Sequence, residues 1–441
     1  MGKLLVNVGL DDFDSPEGGC TTYVASLLVE RLDREPWAEF LDYPRLVRLN
    51  PNVPFKTRGN GAVSLALEIE EGRLDDLLGI LAELVRSDEW LGHGKTDPVA
   101  VALVGEPPHP VRVLYRRALT TVVPLSLAER LARAAGALVL RAKRGRGLVG
   151  ALAAVGASLT DYTFELLAYR RREMWGEPRC IDPESVVEFD RLTRGLTFGN
   201  VDYETGRVLV APRGPDPVLF GVRGDDPRAL LTALDVIRAG EPVDRWLIFR
   251  TNQGTDAHLR LIKPVRELRP YDSVGVRGVV VEGAEVGPGG HVRFVVSDGT
   301  GAITCMAYSE TGHLNRAARL LRPGDEVEVW GGVRPPSRRY EMCINVERLR
   351  VLSARPAVHE VNPRCPACGR RMKSAGKGKG YKCPKCGLRA RSLSRVSVAV
   401  PRLLEPGLYA ASPRAYRHLT KPPTRARARG PPLMVTPWHE P

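Results

Sequence analysis

The 441-residue chain holds no apolar run near the ~20 residues that a membrane-spanning helix needs. Its first apolar stretch is cut off by Asp11 and Asp12, too early for a secretory leader. No basic amphipathic helix stands out to favour a membrane surface. A soluble, cytoplasmic protein is the expectation. A disulfide framework is also missing. Of eight cysteines, Cys20, Cys180, Cys305 and Cys343 are scattered, which suits a reducing compartment. There is no P-loop and no internal repeat. Acids are in deficit: 51 Asp+Glu against 65 Lys+Arg gives a net charge of +14. That excess points to a polyanionic partner, nucleic acid first.

What is present begins at the N-terminus. Leu4 to Leu10 is apolar and short, as in a buried strand. It ends in Asp11, Asp12 and Asp14, followed by Ser15-Pro16, Gly18-Gly19 and Cys20-Thr21-Thr22. Tyr23 to Leu32 then reads as a helix with a Thr cap. Clustered carboxylates at a strand end suit a hard cation such as magnesium. Free N–H groups at a helix start suit phosphate. Downstream, Pro51 to Gly61 carries Lys56 and Arg58 in an Asn- and Gly-rich loop fit for phosphate or a base edge. Lys143 to Gly147 is a basic glycine loop before a small apolar helix, a weaker anion signal.

The periodicity predicts a multidomain chain of α/β and α+β parts. Residues 1–140 read as α/β. Residues 141–262 include a β-β-α-β series matching part of a ferredoxin-like split β-α-β. Polar runs at its strand ends hold Asp202, Glu204, Asp216 and Asp256. Residues 265–355 show five short strands with a helix between the third and fourth, the order of an OB-fold barrel. Its face would offer Arg293, Tyr308, Trp330, Arg339 and Tyr340 to bases or phosphates.

Residues 362–390 contain Cys365-x2-Cys368 and Cys383-x2-Cys386, the spacing of one tetrahedral zinc. Four thiolates leave no open position for catalysis, so the metal is expected to fold a ribbon. Between the pairs lie Lys377, Lys379 and Tyr381 in a stretch without acids, suited to tracking phosphates. In the tail, 391–441, Leu403 to His418 is expected to be partly helical. The Pro/Arg-rich end from Lys421, with Arg425, Arg427 and Arg429, is expected to stay disordered until bound.

Gly9 to Ser15 with Cys20 to Tyr23 resembles the archaeal tRNA(Ile) 2-agmatinylcytidine synthetase family, TiaS. The resemblance continues through Pro51 to Gly61, Gly214 to Gly221 and Phe249 to Asp256, and spans nearly the whole chain. It implies the domain order kinase-like, ferredoxin-like, OB-fold and zinc ribbon. It further implies a ligase that uses ATP and magnesium to attach agmatine to the wobble cytidine of the minor isoleucine tRNA with a CAU anticodon, changing AUG reading to AUA. The cytidine 2-oxygen would be activated by phosphorylation, and a threonine matching Thr21 can be phosphorylated. Asp11, Asp12 and Asp14 match the acidic motif, with Phe13 where a smaller polar residue is expected. Gly18, Gly19, Thr22, Lys56 and Arg58 would serve the nucleotide. Asp202, Asp216 and Asp256 are candidates for agmatine. The rival class is a non-catalytic nucleic-acid-binding protein whose barrel and ribbon do the work. A binder has no need of an Asp-rich loop joined to Cys-Thr-Thr.

Overall fold

The computed structural model describes residues 2–15, 18–92, 96–338, 340–425 and 434–441. The N-terminal half runs β1 (Lys3–Asp11), α1 (Thr21–Asp33), β2 (Ala38–Phe40), β3 (Arg45–Arg48), β4 (Gly61–Glu70), α2 (Leu74–Arg86), α3 (Asp88–Leu91), β5 (Val99–Val104), α4 (His109–Thr120), α5 (Leu125–Ala134), β6 (Leu138–Arg141) and α6 (Leu148–Val155). It continues with β7 (Thr163–Tyr169), α7 (Pro183–Leu192), β8 (Thr197–Phe198), β9 (Val201–Asp202), β10 (Arg207–Val208), β11 (Val218–Gly224), α8 (Pro227–Val236) and β12 (Arg245–Thr251).

One sheet joins both parts, in the order β6-β5-β1-β4-β3-β12-β7-β11-β8. Its seam is a short parallel pairing of β3 with β12. Alternation fixes the two faces. Val6, Val8 and Leu10 pack under α1 and α2. Val99 and Val101 pack under α4, α5 and α6. The α6 backbone comes so close to β1 that a Cβ on Gly9 would lie 2.3 Å from the Ala151 carbonyl, which is why glycine stands there.

Residues 273–353 form the expected barrel: β13 (Ser273–Val286), β14 (Val292–Ser297), β15 (Ala302–Ala307), α9 (His313–Ala318), β16 (Glu326–Arg334) and β17 (Cys343–Ser353). Closure comes from the parallel pairing of β15 with β17. A two-stranded arm, β18 (Ala357–Val361) with β22 (Val396–Val400), carries the ribbon of β19 (Lys373–Ser374), β20 (Tyr381–Lys382) and β21 (Arg389–Ala390).

The tail departs from expectation. Instead of a helix over 403–418 there is a strand, β23 (Gly407–Ala410), added to the barrel edge at β17. Pro406, Gly407 and Pro413 break a helical run there. The end is not free either. Arg425 is 7% exposed and forms ion pairs with Asp161 and Asp225 at 2.9 and 2.8 Å. Beyond it β24 (His439–Glu440) pairs with β12, and Trp438 packs edge-on against Phe40 and Tyr43. Arg427 and Arg429 lie outside the described residues, as does Arg339. Among the described residues no helix is long and apolar enough to cross a membrane.

Candidate active site

The sheet ends β1 at the three carboxylates. Asp12 has φ 65°, a left-handed conformation that costs a non-glycine residue about 1 kcal/mol or more and concentrates at functional turns. Asp11 accepts from the Asp12 N–H at 2.7 Å. Phe13 turns inward and is fully buried, edge-on to Trp90. Its bulk therefore serves the core and leaves the carboxylates facing out. Gly19 sits at φ 74°, where a Cβ would meet the Phe13 carbonyl at 2.6 Å. The loop is thus folded tightly enough to lay the start of α1 against Asp14. There the Thr21 hydroxyl donates to Asp14 Oδ2 at 3.0 Å and accepts from the Phe13 N–H at 3.3 Å. No side chain caps α1.

Two arginines clamp this loop. Arg58 donates to the carbonyls of Ser15 and Gly19 at 2.6 and 3.0 Å and pairs with Asp216 at 3.2 Å. Arg146 donates to Asp12 through Nε and Nη2 at 2.8 and 2.7 Å. The basic glycine loop carrying Arg146 is itself held by Asp97, which accepts from the N–H groups of Gly145 and Arg146 at 2.8 and 2.9 Å.

Two cavities adjoin at Asp14, Arg58 and Gly61. The first, about 310 Å³, has Asp11, Asp12, Lys56 and Arg146 on its polar side and Leu49, Phe55, Val123 and Leu125 on its apolar side. Phe55 is 68% exposed, an aromatic kept in the open at the rim. The second, about 480 Å³, takes Cys20, Thr21 and Thr22 from α1, and side chains at alternate positions of three strands: Leu46 and Arg48 (β3), Glu165 and Leu167 (β7), Gly221 and Arg223 (β11). Alternate positions share one face of a sheet. Arg223 stands opposite Glu165 in register and pairs with it at 2.9 Å. Asp216 and His418 complete the wall.

The charges are unevenly balanced. Burial, then the neighbouring Asp12, pushes the Asp11 carboxyl well above its ordinary range. Burial raises Asp12 too, against the pull of Arg146. Crowded hard oxygens whose negative charge is disfavoured fit a divalent cation, which reverses that balance. Burial pushes the Cys20 thiol up to about 12, so it stays protonated and inert. Burial raises Asp216, against the pull of Arg58 and Arg179.

Of the residues singled out in the sequence, Asp11, Asp12, Asp14, Thr21, Thr22, Lys56, Arg58 and Asp216 line these cavities. Gly18 and Gly19 shape the loop beside them. Asp202 and Asp256 stand elsewhere. Asp202 pairs with Arg414 at 2.9 Å, and Asp256 pairs with Arg348 of the barrel at 2.7 Å. Arg146 comes from the basic glycine loop read as a weak anion signal, whereas Arg48, Glu165, Arg223, Gln253 and His418 were not singled out as site residues. Alternation in a strand cannot show which face meets a cavity, and His418 comes from a remote tail.

The four ribbon cysteines place their sulfurs within 4.8 Å of one another, a donor set fit for one tetrahedral zinc. Tyr340 is 64% exposed and Lys377 and Lys379 are exposed. Trp330 is half-buried over Gly275, and Tyr381 packs partly into the ribbon core. Arg293 is paired with Glu282 at 2.7 Å.

An acidic strand end beside an arginine-lined cavity, joined to a closed five-stranded barrel and a four-thiolate ribbon, is the layout of a multidomain α/β protein directed at nucleic acid. Sequence profiles match residues 7–144 as the TiaS TCKD domain, 145–258 as the TiaS FLD domain, 274–352 as an OB-fold nucleic acid binding domain and 362–404 as the TiaS C-terminal zinc ribbon domain. The tRNA 2-agmatinylcytidine synthetase TiaS of Thermofilum pendens is 50% identical over 96% of this chain and 95% of its own. A crystal structure of TiaS in complex with its isoleucine tRNA and ATP superposes with a TM-score of 0.83 at 39% identity, covering 97% of this chain and 99% of that one. A TiaS complex with the same tRNA, AMPCPP and agmatine gives 0.81 at 37%, over the same shares. The chain belongs to the TiaS family.

Proposed function

We propose that this chain is an ATP-dependent ligase that joins agmatine to the wobble cytidine of the minor isoleucine tRNA, working in the cytoplasm. One observation carries the reading: the Thr21–Asp14 hydrogen bond lies where the two cavities meet, with Asp11 and Asp12 on one side and the arginine-lined space on the other. A pure nucleic-acid binder has no use for that arrangement.

In this proposal the first cavity takes ATP. Its apolar side suits a base, while Lys56, Arg58 and Arg146 face phosphate; the loop at Gly18 and Gly19 adjoins them, and Thr22 would reach the nucleotide from the side of the second cavity. Asp11, Asp12 and Asp14 would hold magnesium, which when bound offsets phosphate charge. Asp14 accepts the Thr21 proton as the hydroxyl receives a phosphoryl group. The second cavity takes the flipped cytidine and the amine, with four arginines among its lining residues for phosphate and Asp216 for a cationic end. A C2 oxygen leaves poorly until phosphorylated, and then departs as phosphate.

The division of labour follows. Residues 1–140 form the kinase-like part, 141–262 the ferredoxin-like part, 265–355 the barrel, and 362–390 the ribbon with its zinc. The barrel, ribbon and basic tail, through Trp330, Tyr340, Lys377, Lys379 and Tyr381, hold the tRNA body. Mass spectrometry of the minor isoleucine tRNA incubated with the protein, ATP, magnesium and agmatine tests the whole reading. The expected result is one agmatine adduct on the wobble cytidine, and unmodified tRNA overturns the reading.

A further inference from the structure

The tail crosses back from the barrel and delivers one imidazole into the second cavity. His418 is held on both sides. Its carbonyl accepts from the Gly254 N–H at 2.9 Å, and the next residue, Leu419, is 1% exposed among Val47, Tyr115 and Ala118. The ring is oriented by a relay. The Gln253 amide donates its NH2 to the buried Glu165 carboxylate. A carboxylate can only accept here, so the amide oxygen of Gln253 is the atom that faces His418 Nδ1, at 2.9 Å. Nδ1 therefore carries the proton, and Nε2 carries a lone pair. Nε2 lies at the cavity wall near Gly59, where a Cβ on that glycine would be 2.9 Å from it and 2.7 Å from Arg48 Nη1.

The other bases of this cavity are engaged. Asp14 holds the Thr21 hydroxyl, Asp216 pairs with Arg58 and Arg179, and Glu165 pairs with Arg223 and Gln253. Among the described residues lining the cavity, His418 offers a neutral nitrogen acceptor, Nε2, with no hydrogen bond, whereas each of these carboxylates is tied through at least one oxygen. We propose that His418 is the general base for the amine step of the ligase reading, on which this inference rests.

The step balances. An alkylammonium ordinarily loses its proton near pH ~10.4, so agmatine gives one proton to solvent before attack. The free amine forms the C2–N bond, the C2–O bond breaks, and phosphate leaves with the electron pair. As the nitrogen becomes positive its remaining excess proton passes to Nε2. The groups facing the ring favour a neutral imidazole. Arg48 and Arg223 stand near it, Gln253 and Glu165 lie behind it, and Arg58 and Asp216 stand across the cavity. Burial first, then Arg48 and Arg223, holds its pKa well below the ordinary range.

The test uses the full chain with γ-labelled ATP, magnesium, the minor isoleucine tRNA and agmatine, in wild type, His418→Ala and His418→Gln. Without agmatine, both variants are expected to label protein and tRNA within about twofold of wild type. With agmatine, transfer should fall by ~100-fold or more while labelled tRNA persists. Imidazole added to His418→Ala should restore part of the transfer. Every form needs the free amine, so each rate should rise at least about tenfold per pH unit below pH ~10, and the rise should be steeper in the two variants than in wild type, as hydroxide replaces the lost base. Undiminished transfer, or loss of labelling and transfer together in both variants, overturns the role of His418. Absence of ATP-dependent labelling in wild type overturns the ligase reading instead.

Discussion

The Thr21 hydroxyl donates to Asp14 Oδ2 at 3.0 Å, and Asp14 stands in the wall that two cavities share. The bond orients the hydroxyl oxygen and gives its proton a destination. Asp14→Asn keeps the shape but removes the acceptor. ATP-dependent phosphorylation of the protein is expected to slow by ~10²–10⁴-fold. Thr21→Ala should abolish the label at that position, and Thr21→Ser should retain it. Labelled protein, mapped by peptide mass spectrometry, checks all three. A label that survives in Thr21→Ala would place the acceptor elsewhere.

Arg425 closes the N-terminal half from the far end of the chain. Its guanidinium meets Asp161 and Asp225 and donates to the carbonyls of Gly254 and Tyr162 at 3.1 and 2.6 Å. Arg425→Met takes a buried positive charge away from both Asp161 and Asp225. Breaking a buried pair from one side costs about 3–5 kcal/mol. The denaturant midpoint of the N-terminal half should fall accordingly, as read by hydrogen exchange of β7 and β12. The paired change Arg425→Met with Asp161→Leu should recover part of the loss. An unchanged midpoint in the single variant would show that the strap is not structural.

Long periodic elements were legible in the sequence, because burial alone dictates their pattern. β1, α1, α2, the barrel strands and the four-cysteine ribbon all appear at or near their expected places. α4 was passed over, although Val111, Leu114, Tyr115, Ala118 and Leu119 have helical spacing and are buried. The acid cluster was legible because three carboxylates at a strand end have no packing explanation. Arg48, Glu165 and Arg223 were not, since the strands that carry them come from distant stretches of chain. The tail misled for a related reason. Its Pro- and Arg-rich composition describes how it would behave alone, whereas Arg425, Trp438 and His418 find partners more than 150 residues away.

Glu204 offers a pH test of how the tail meets the barrel. Arg316 of α9 and Arg414 of the tail donate to it at 2.8 and 2.7 Å, and these bonds lower its pKa from 4.5 to about 2. A carboxylate whose folded pKa is depressed adds stability that is complete above its unfolded pKa and fades as pH falls toward the folded one. The clamp should therefore hold at pH 7 and weaken from about pH 5 down to about 2. Hydrogen exchange over residues 407–416 should quicken in that window. Glu204→Gln should show the faster exchange already at pH 7, with a smaller acid response left to Asp202, which still pairs with Arg414 at 2.9 Å. Equal pH dependence in both proteins would remove Glu204 from the account.

The ribbon should depend on its metal more completely than any other part. Its buried cluster consists of Cys365, Met372 and Cys383, with Cys368, Tyr381, Ala390 and Leu393 partly covering it. Two of the three buried members are themselves ligands, so little apolar surface remains to drive folding once the thiolates lose the ion. Small domains of this kind are folded when loaded and unfolded when stripped. Chelation, or Cys383→Ser, should unfold residues 362–390 while the sheet of the N-terminal half keeps its hydrogen-exchange protection. The affinity for tRNA should drop at least tenfold, because Lys377 and Lys379 are no longer presented on one hairpin. The salt dependence of binding should become shallower as those phosphate contacts are lost. Undiminished affinity with an unfolded ribbon would assign the grip on tRNA to the barrel and tail alone.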